Sequence, residues 1–595
     1  MRKLLSLLTF ALVAVSVATA ALATPPLPPE DASRLHHLFS SEWEWQLRDD
    51  PESATALGDR RYDALLTDRS PAAWASRRKH HQETLAAIRA INRARLSPQD
   101  QLDYDLFRLQ AELAVEGDRF PQELATTHQM GGIYSLLGEL AQSIPRDTVK
   151  DHENFLARLH AFPRAVDETI ALLRKGIQTG VTPPRIILRD VAELIANQIV
   201  DDPEKSPVYE FAFTNFRSSI PAAEQQRLRK EALQAIRTEV LPAMRKLHAF
   251  WIGDYYPKTR ETIGWTAVPQ GKEWYAYAVR RETTTERTPD EIHNLGLSEV
   301  KRIRAEMERI KTSTGFDGSL EEFFTFLRTD PRFYYNSREE LLAAYRNIAK
   351  QIDPELTRVF GRIPRLPYGV IPVPAYSEKA NTTAYYMAGS PEAHRPGYYY
   401  VNLYDVKSRP KWEMEALSLH ESVPGHHFQI AIAQELENGP KFRRASQFTA
   451  YTEGWGLYAE SLGPQLGMYT DPYSKFGQLT YEMWRAVRLV VDTGMHAKGW
   501  TRQQAIDFFV ANSSKPLHDI EVEIDRYLAW PGQALAYKSG ELKIKELRAK
   551  AERELGDKFD LRAFHDELLG AGALPLSLLE TRMDVWVAKQ KRVLR

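Results

Sequence analysis

From Asp31 to about Ala249 apolar residues recur at three- and four-residue spacings among Ala, Leu, Glu, Arg and Gln. That period predicts a series of amphipathic helices. Phe155, Leu156, Leu159 and Phe162, continued by Val166, Ile170 and Leu173, form one such stripe. Breaks are expected at Gly131-Gly132, at Thr179–Pro184 and between Pro203 and Pro207. The stretch from Tyr255 to Thr284 reads as less helical, and its cluster of Trp265, Trp274, Tyr275 and Tyr277 is expected to pack in the interior rather than line a cleft. Thr288-Pro289-Asp290-Glu291 then supplies a cap, a first-turn proline and two acids at the positive helix end, and predicts a long helix to about Thr312.

The pattern changes at Arg362. Pro364, Pro367, Pro372 and Pro374 break helices, and the tyrosine-rich runs Ala384–Met387 and Gly397–Leu403 alternate as strands joined by the turn-rich loop Gly389–Pro396. A small antiparallel sheet is expected there, either as a structural hairpin or as an edge that holds an extended peptide by its backbone. After Pro410 the helical period returns. The expected fold is therefore mainly α with one small antiparallel sheet, divided into a helical part over residues 32–362 and a second part over residues 363–595.

Composition narrows the chemistry. The 595 residues carry 78 basic and 79 acidic side chains, a formal net charge of -1, which offers no broad field for nucleic acid or an anionic membrane. There is no cysteine, which removes thiol catalysis, disulfides, thiolate metal sites and cysteine lipidation. Any metal must be held by His, Asp and Glu. At the N-terminus, Arg2 and Lys3 precede the apolar run Leu4–Ala18 and small residues to Ala23, as in an export signal spanning residues 1–23, with a Pro-rich linker over residues 24–31. An exported protein without lasting membrane association, in the periplasm or secreted, is expected.

The candidate chemistry is concentrated between His420 and Glu460. His420-Glu421-Ser422-Val423-Pro424-Gly425-His426-His427 sets two histidines after a His-Glu pair, and Thr452-Glu453-Gly454-Trp455-Gly456-Leu457-Tyr458 follows. In the usual His-Glu-x-x-His arrangement, positions i and i+4 share a helix face and hold zinc, with the glutamate as base. Here the second histidine comes later, and on a regular helix at about 100° per residue His427 returns closer to the direction of His420 than His426 does. Pro424 denies a regular helix, however, and a bulge that absorbs two residues would bring His426 round instead. The pairs His36-His37 and His80-His81 show no carboxylate partner in the sequence and are expected on the solvated surface.

The block resembles the gluzincin metallopeptidases, whose third zinc ligand is a glutamate on a following helix, and most closely the bacterial DUF885 group with its His-Glu-x-x-Pro-Gly-His-His signature. The likeness to DUF885 continues to Phe559–His565 and Leu574-Pro575-Leu576. It implies one zinc ion held by His420, His426 (whose preceding Gly425 fits the gluzincin habit) and Glu453, with Glu421 as general base. Glu460 is a candidate to orient a ligand histidine. Ile524-Asp525-Arg526-Tyr527 resembles the Ile-Arg-Tyr stretch of peptidases like the angiotensin-converting enzyme, which implies Tyr527 as oxyanion donor, with Tyr537 as its rival and His518 as a loose match to their upstream histidine. His496 is a further candidate for the cleft wall. Arg485, Arg488 and Arg526 are candidates to hold a substrate carboxylate, with structural ion pairs as the competing role. The implied architecture is two helical halves around a deep cleft. The implied activity is zinc-dependent hydrolysis of short peptides, against a zinc amidase acting on a non-peptide amide or cell-wall fragment, or an inactive peptide-binding protein on the same scaffold.

Overall fold

The computed structural model describes residues 30–593 except 376–377 and 438. The expected export signal and most of the linker lie outside these residues. The linker ends sooner than expected, because Glu30 and Asp31 already form the acidic first turn of a helix, α1 (Glu30–Asp49).

The chain is mainly helical. In α2 (Val149–Thr179) the stripe from Phe155 to Leu173 is buried, and the helix stops at Gly180, which adopts the left-handed conformation at φ 74°. The stretch expected to be less helical contains α3 (Gly271–Thr283), and Trp265, Trp274, Tyr275 and Tyr277 pack into a small core with Phe120 and Leu489. Next, α4 (Pro289–Ser313) carries the full capping box of Thr288 and Glu291. Gly296 lets it lie close on Leu489 and Val490, where a Cβ would come within 2.7 Å of both side chains.

The sheet has three strands, not two, and is mixed rather than purely antiparallel. β1 (Tyr368–Pro372) pairs in parallel with β3 (Gly397–Val401), and β2 (Ala384–Met387) pairs with β3 in antiparallel register, Ala384 opposite Val401 and Met387 opposite Tyr398. The order β1-β3-β2 puts Pro372 on an edge strand, where its missing N–H costs no ladder bond. Tyr399 and Val401 of β3 face the interior, while Tyr400 on the other face stacks on Tyr385 at 4.8 Å.

The helices that carry the expected chemistry follow: α5 (Met414–Glu421), α6 (His426–Gln434), α7 (Thr449–Glu460), α8 (Pro472–Ala497), α9 (Leu517–Ala529) and α10 (Ala536–Leu555). Two large hydrophobic cores organise them, and neither respects the expected boundary at residue 362. One runs from Leu66 to Ala534 and includes most of α8; the other runs from Ala32 to Val587 and includes parts of α7 and α10. The helix α5 bridges them, with Ala416 and Leu417 in the first and Leu419 in the second. His420 and Glu421, both buried, follow Leu419 at the end of this helix. No described helix is long and apolar enough to cross a membrane.

Candidate metal and substrate site

Pro424 interrupts the helix more completely than a bulge would. After Glu421 the helix α5 stops, Val423-Pro424 forms a cis peptide, and α6 starts afresh at His426. Gly425 is required by close approach, since any side chain there would strike the carbonyls of Leu419 and His420. The indole Nε1 of Trp455 donates to the Pro424 carbonyl at 2.7 Å, which ties the break to α7.

This break turns the imidazoles of His420 and His426 toward one point. Nε2 of His420 lies 3.4 Å, and Nε2 of His426 3.3 Å, from the same oxygen of Glu453, Oε2. That oxygen is buried and makes no hydrogen bond. Both separations exceed the usual N–H···O range. They match the edge of a tetrahedron: ligand atoms roughly 2.0–2.1 Å from a central zinc lie about 3.3 Å apart. Among the described residues this is the one group of three or more His, Cys, Asp or Glu side chains arranged to hold a metal ion.

The glycines of α7 have separate tasks. Gly456 backs directly onto the His420 ring, where a Cβ would lie 2.7 Å from Cε1. Gly454 faces away, against Gly540 of α10 at 2.5 Å for the same hypothetical atom, so it sets helix packing rather than the imidazole. Glu460 lies on the far side of His420 and accepts from Nδ1 at 2.8 Å, which points the other nitrogen at the cluster. Arg485 in turn contacts Glu460 at 3.4 Å. Burial opposes a charge on His420, but the carboxylates of Glu453 and Glu460 carry its pKa up to about 9. Burial likewise opposes ionisation of Glu453, yet the facing imidazoles of His426 and His420 hold it well below the usual carboxylate range. The second ring nitrogen of His426 is buried and makes no hydrogen bond.

His427 points elsewhere. Its Nε2 donates to the Leu366 carbonyl at 3.0 Å and its Nδ1 accepts from the Tyr386 hydroxyl at 2.9 Å. Both nitrogens are thus engaged in clamping the sheet to α6, and burial pushes the pKa down to about 4.

The cluster opens on a cavity of about 330 Å³ lined by His420, Glu421, His426 and Glu453, by Thr382–Tyr386 of the sheet edge, and by Tyr537. Tyr527 is not part of this wall. It is 1% exposed, and its hydroxyl accepts from Nε1 of Trp484 at 3.0 Å and Nε of Arg488 at 2.8 Å. Its rival Tyr537 does line the wall: its ring lies nearly parallel to that of His420 at 6.4 Å, and its hydroxyl accepts from Arg526 at 3.1 Å. Arg485, Arg488 and Arg526 all line the cavity. His496 does not, being buried between the Trp265 amide and the Tyr527 carbonyl, and His518 is exposed on α9. Three of the four paired histidines near the N-terminus have carboxylate partners that the sequence hid: His36 meets Asp100 at 2.7 Å, His80 meets Glu42 at 2.6 Å and His81 meets Asp118 at 3.0 Å, and among the described residues none of these pairs gains a third ligand.

Glu523, which the sequence reading passed over, lies between two of the arginines, 3.0 Å from Arg488 and 3.5 Å from Arg526. Its spacing one helical turn before Arg526 was the available signal. Met130 and Asn381, which also line the cavity, gave none.

No curated protein matches the chain. Among solved structures, one described as "the putative lipoprotein from Colwellia psychrerythraea" is 28% identical, with a TM-score of 0.89 over 94% of this chain and 99% of that one. Another lipoprotein structure so described, of unknown function and from Shewanella oneidensis, has a TM-score of 0.65 over 92% and 99% of the two chains; at 16% identity the likeness is one of fold. The description "Bacterial protein of unknown function (DUF885)" matches residues 51–583. With this match over most of its length, and with His420, Glu421 and His426 of its His-Glu-x-x-Pro-Gly-His-His block lining the cavity, the chain belongs to the DUF885 family.

Proposed function

We propose that this protein is an exported, zinc-dependent metallopeptidase acting on short peptides. The observation that carries the reading is the convergence of His420, His426 and Glu453 at tetrahedral-edge spacing on a buried, otherwise unpartnered oxygen. Two imidazoles and a carboxylate suit zinc better than calcium or magnesium, which prefer oxygen alone. Bound by these three residues, zinc would supply Lewis acidity to activate water and polarise a carbonyl.

The remaining work falls to the chain. Glu421, next to the first ligand and in the same cavity wall, takes a proton from the attacking water and returns it to the leaving amine nitrogen. Tyr537 accepts from Arg526 and, more weakly, from Gln533, and so keeps its own O–H to donate to the developing oxyanion. The edge strand β2 offers backbone groups along which an extended peptide can lie. The two-halves-and-cleft architecture of the converting-enzyme relatives belongs to this reading. So does export, which the signal-like N-terminus and the resemblance to proteins described as lipoproteins support.

The test is digestion of a mixed peptide library by the purified protein, read by mass spectrometry with and without chelator, beside Glu421→Gln. Chelator-sensitive cleavage is expected, lost by at least about 100-fold in the variant while zinc content is retained. Full turnover in Glu421→Gln would remove the proposed base, and cleavage of simple amides without any peptide product would favour an amidase.

A further inference from the structure

Three arginines face the cavity, and their partners do not balance them. Arg485 is committed to Glu460 and to the Tyr481 carbonyl. Arg488 and Arg526 share one carboxylate, Glu523, and among the described residues neither has another within ion-pair distance. Arg488 is 3% exposed, and its Nη1 is buried without a hydrogen-bond partner. A guanidinium out of water is costly unless paired, so a purely structural pair of arginines would be expected to recruit a second acid. Here the remaining polar neighbours are neutral: the hydroxyls of Tyr527 and Tyr537 and the amide of Gln533.

Arg488 is also held rigid. Its guanidinium carbon sits 4.4 Å from the Tyr537 ring centre and 5.0 Å from that of Trp484, and its Nε donates to Tyr527. That is the pre-organised fork suited to a carboxylate. The Tyr537 ring is close to both, 4.4 Å from the Arg488 guanidinium carbon and 6.4 Å from the His420 ring.

We infer that Arg488 and Arg526 form a subsite for a carboxylate of the substrate, one positive charge of the pair being left for the ligand to neutralise. The inference rests on the peptidase reading for the nature of the substrate, and specifies it: peptides anchored by an anionic group no more than about three extended residues from the bond attacked. The anion is either the terminal carboxylate or an acidic side chain near it.

The probe set is N-acetyl-trialanine as free acid, the same peptide as C-terminal amide, and the amide with glutamate as its last residue. Their binding to the full chain is measured by calorimetry in the Glu421→Gln background, zinc-loaded and after chelation. The free acid is expected to bind about 10- to 100-fold more tightly than the trialanine amide. The preference should survive chelation and shrink below about 3-fold in Arg526→Gln and Arg488→Gln. Should Arg488→Gln not fold, Arg526, whose side chain is less deeply buried, still decides. The glutamyl amide tells the sources apart: affinity like the acid's means that a side-chain anion is accepted, and affinity like the trialanine amide's means that the terminus is read. Equal binding of acid and amide, a preference untouched in Arg526→Gln, or one lost with the metal would each overturn the subsite. Absence of any peptide turnover by the wild type, with the preference intact, would remove the peptidase reading and leave the subsite standing.

Discussion

Substitution of Gly456 by alanine tests the proposed metal site separately from the fold. The added methyl would lie 2.7 Å from Cε1 and 3.0 Å from both nitrogens of the His420 ring. Ordinary carbon contacts begin near 3.5 Å, so the ring has to retreat by roughly 0.5–1 Å. That exceeds the tolerance of about 0.2 Å on a metal–ligand distance. A shift of the ring is expected to be tolerated without metal but not with it, so the overpacking cost of about 1–3 kcal/mol should fall on binding. The zinc dissociation constant should rise roughly 5- to 150-fold. Stability in chelator should change little, because alanine favours a helix over glycine by up to about 1 kcal/mol. Gly454→Ala is the matched contrast. Its methyl meets the backbone of Gly540 at 2.5 Å, where no side chain can yield, so it should lower the unfolding midpoint even in chelator. The assay is competition with a chromophoric zinc chelator, beside thermal unfolding in excess chelator. Wild-type zinc affinity in Gly456→Ala, or a loss that merely tracks instability, would refute the placement of this ring as a ligand.

Glu460→Gln keeps a hydrogen-bond acceptor for His420 but removes the charge, and should weaken zinc binding about 10- to 100-fold, read as metal content after dialysis. Tyr537→Phe should lower kcat on a cleaved peptide by about 100-fold with little change in KM, whereas Tyr527→Phe, whose hydroxyl is absorbed by Trp484 and Arg488, should stay within a few-fold. Equal losses in both variants would count against Tyr537 as the donor. Asp492 gives a pH dependence remote from the ligands: burial raises its pKa to about 7 against the Tyr275 hydroxyl and the Gly532 amide that hydrogen-bond it. The folded state then binds this proton more tightly than the unfolded one. Stability relative to Asp492→Asn should be greatest below the unfolded value near 4 and fall as pH rises through about 7, by up to about 4 kcal/mol, in denaturant titrations at several pH values. A difference that does not vary with pH would refute this.

The helical character was legible because its signals are local: the stripe on α2, the capping box of α4 and the return of period after Pro410. The sheet was half legible. β2 and β3 announce themselves by alternation, but β1 pairs in parallel across 24 or more intervening residues and carries a proline that edge position excuses. At the site, spacing alone favoured His427, and it was the resemblance to the gluzincins that pointed to His426 and Glu453. What separates the adjacent histidines is a helix break held by Gly425 and Trp455 together with a sheet that claims His427, both of them tertiary facts. Tyr527 stood out by a short motif, while its burial under Arg488 depends on α8 crossing α9. Glu42, Asp100 and Asp118 lie too far along the chain from their histidines for any local pattern to pair them.

The two interiors that disregard residue 362 have a consequence for how this protein can be cut, shuffled or inherited. Phe442, just ahead of the helix that bears Glu453, rests its ring 5.0 Å from Phe39 near the start of the described chain, and Arg443 beside it is paired with Asp103. A gene fragment that begins after 362 would therefore encode all three convergent side chains together with an incomplete share of each interior. Such a fragment is expected not to fold alone; the three candidate ligands belong to interiors that only the longer chain completes.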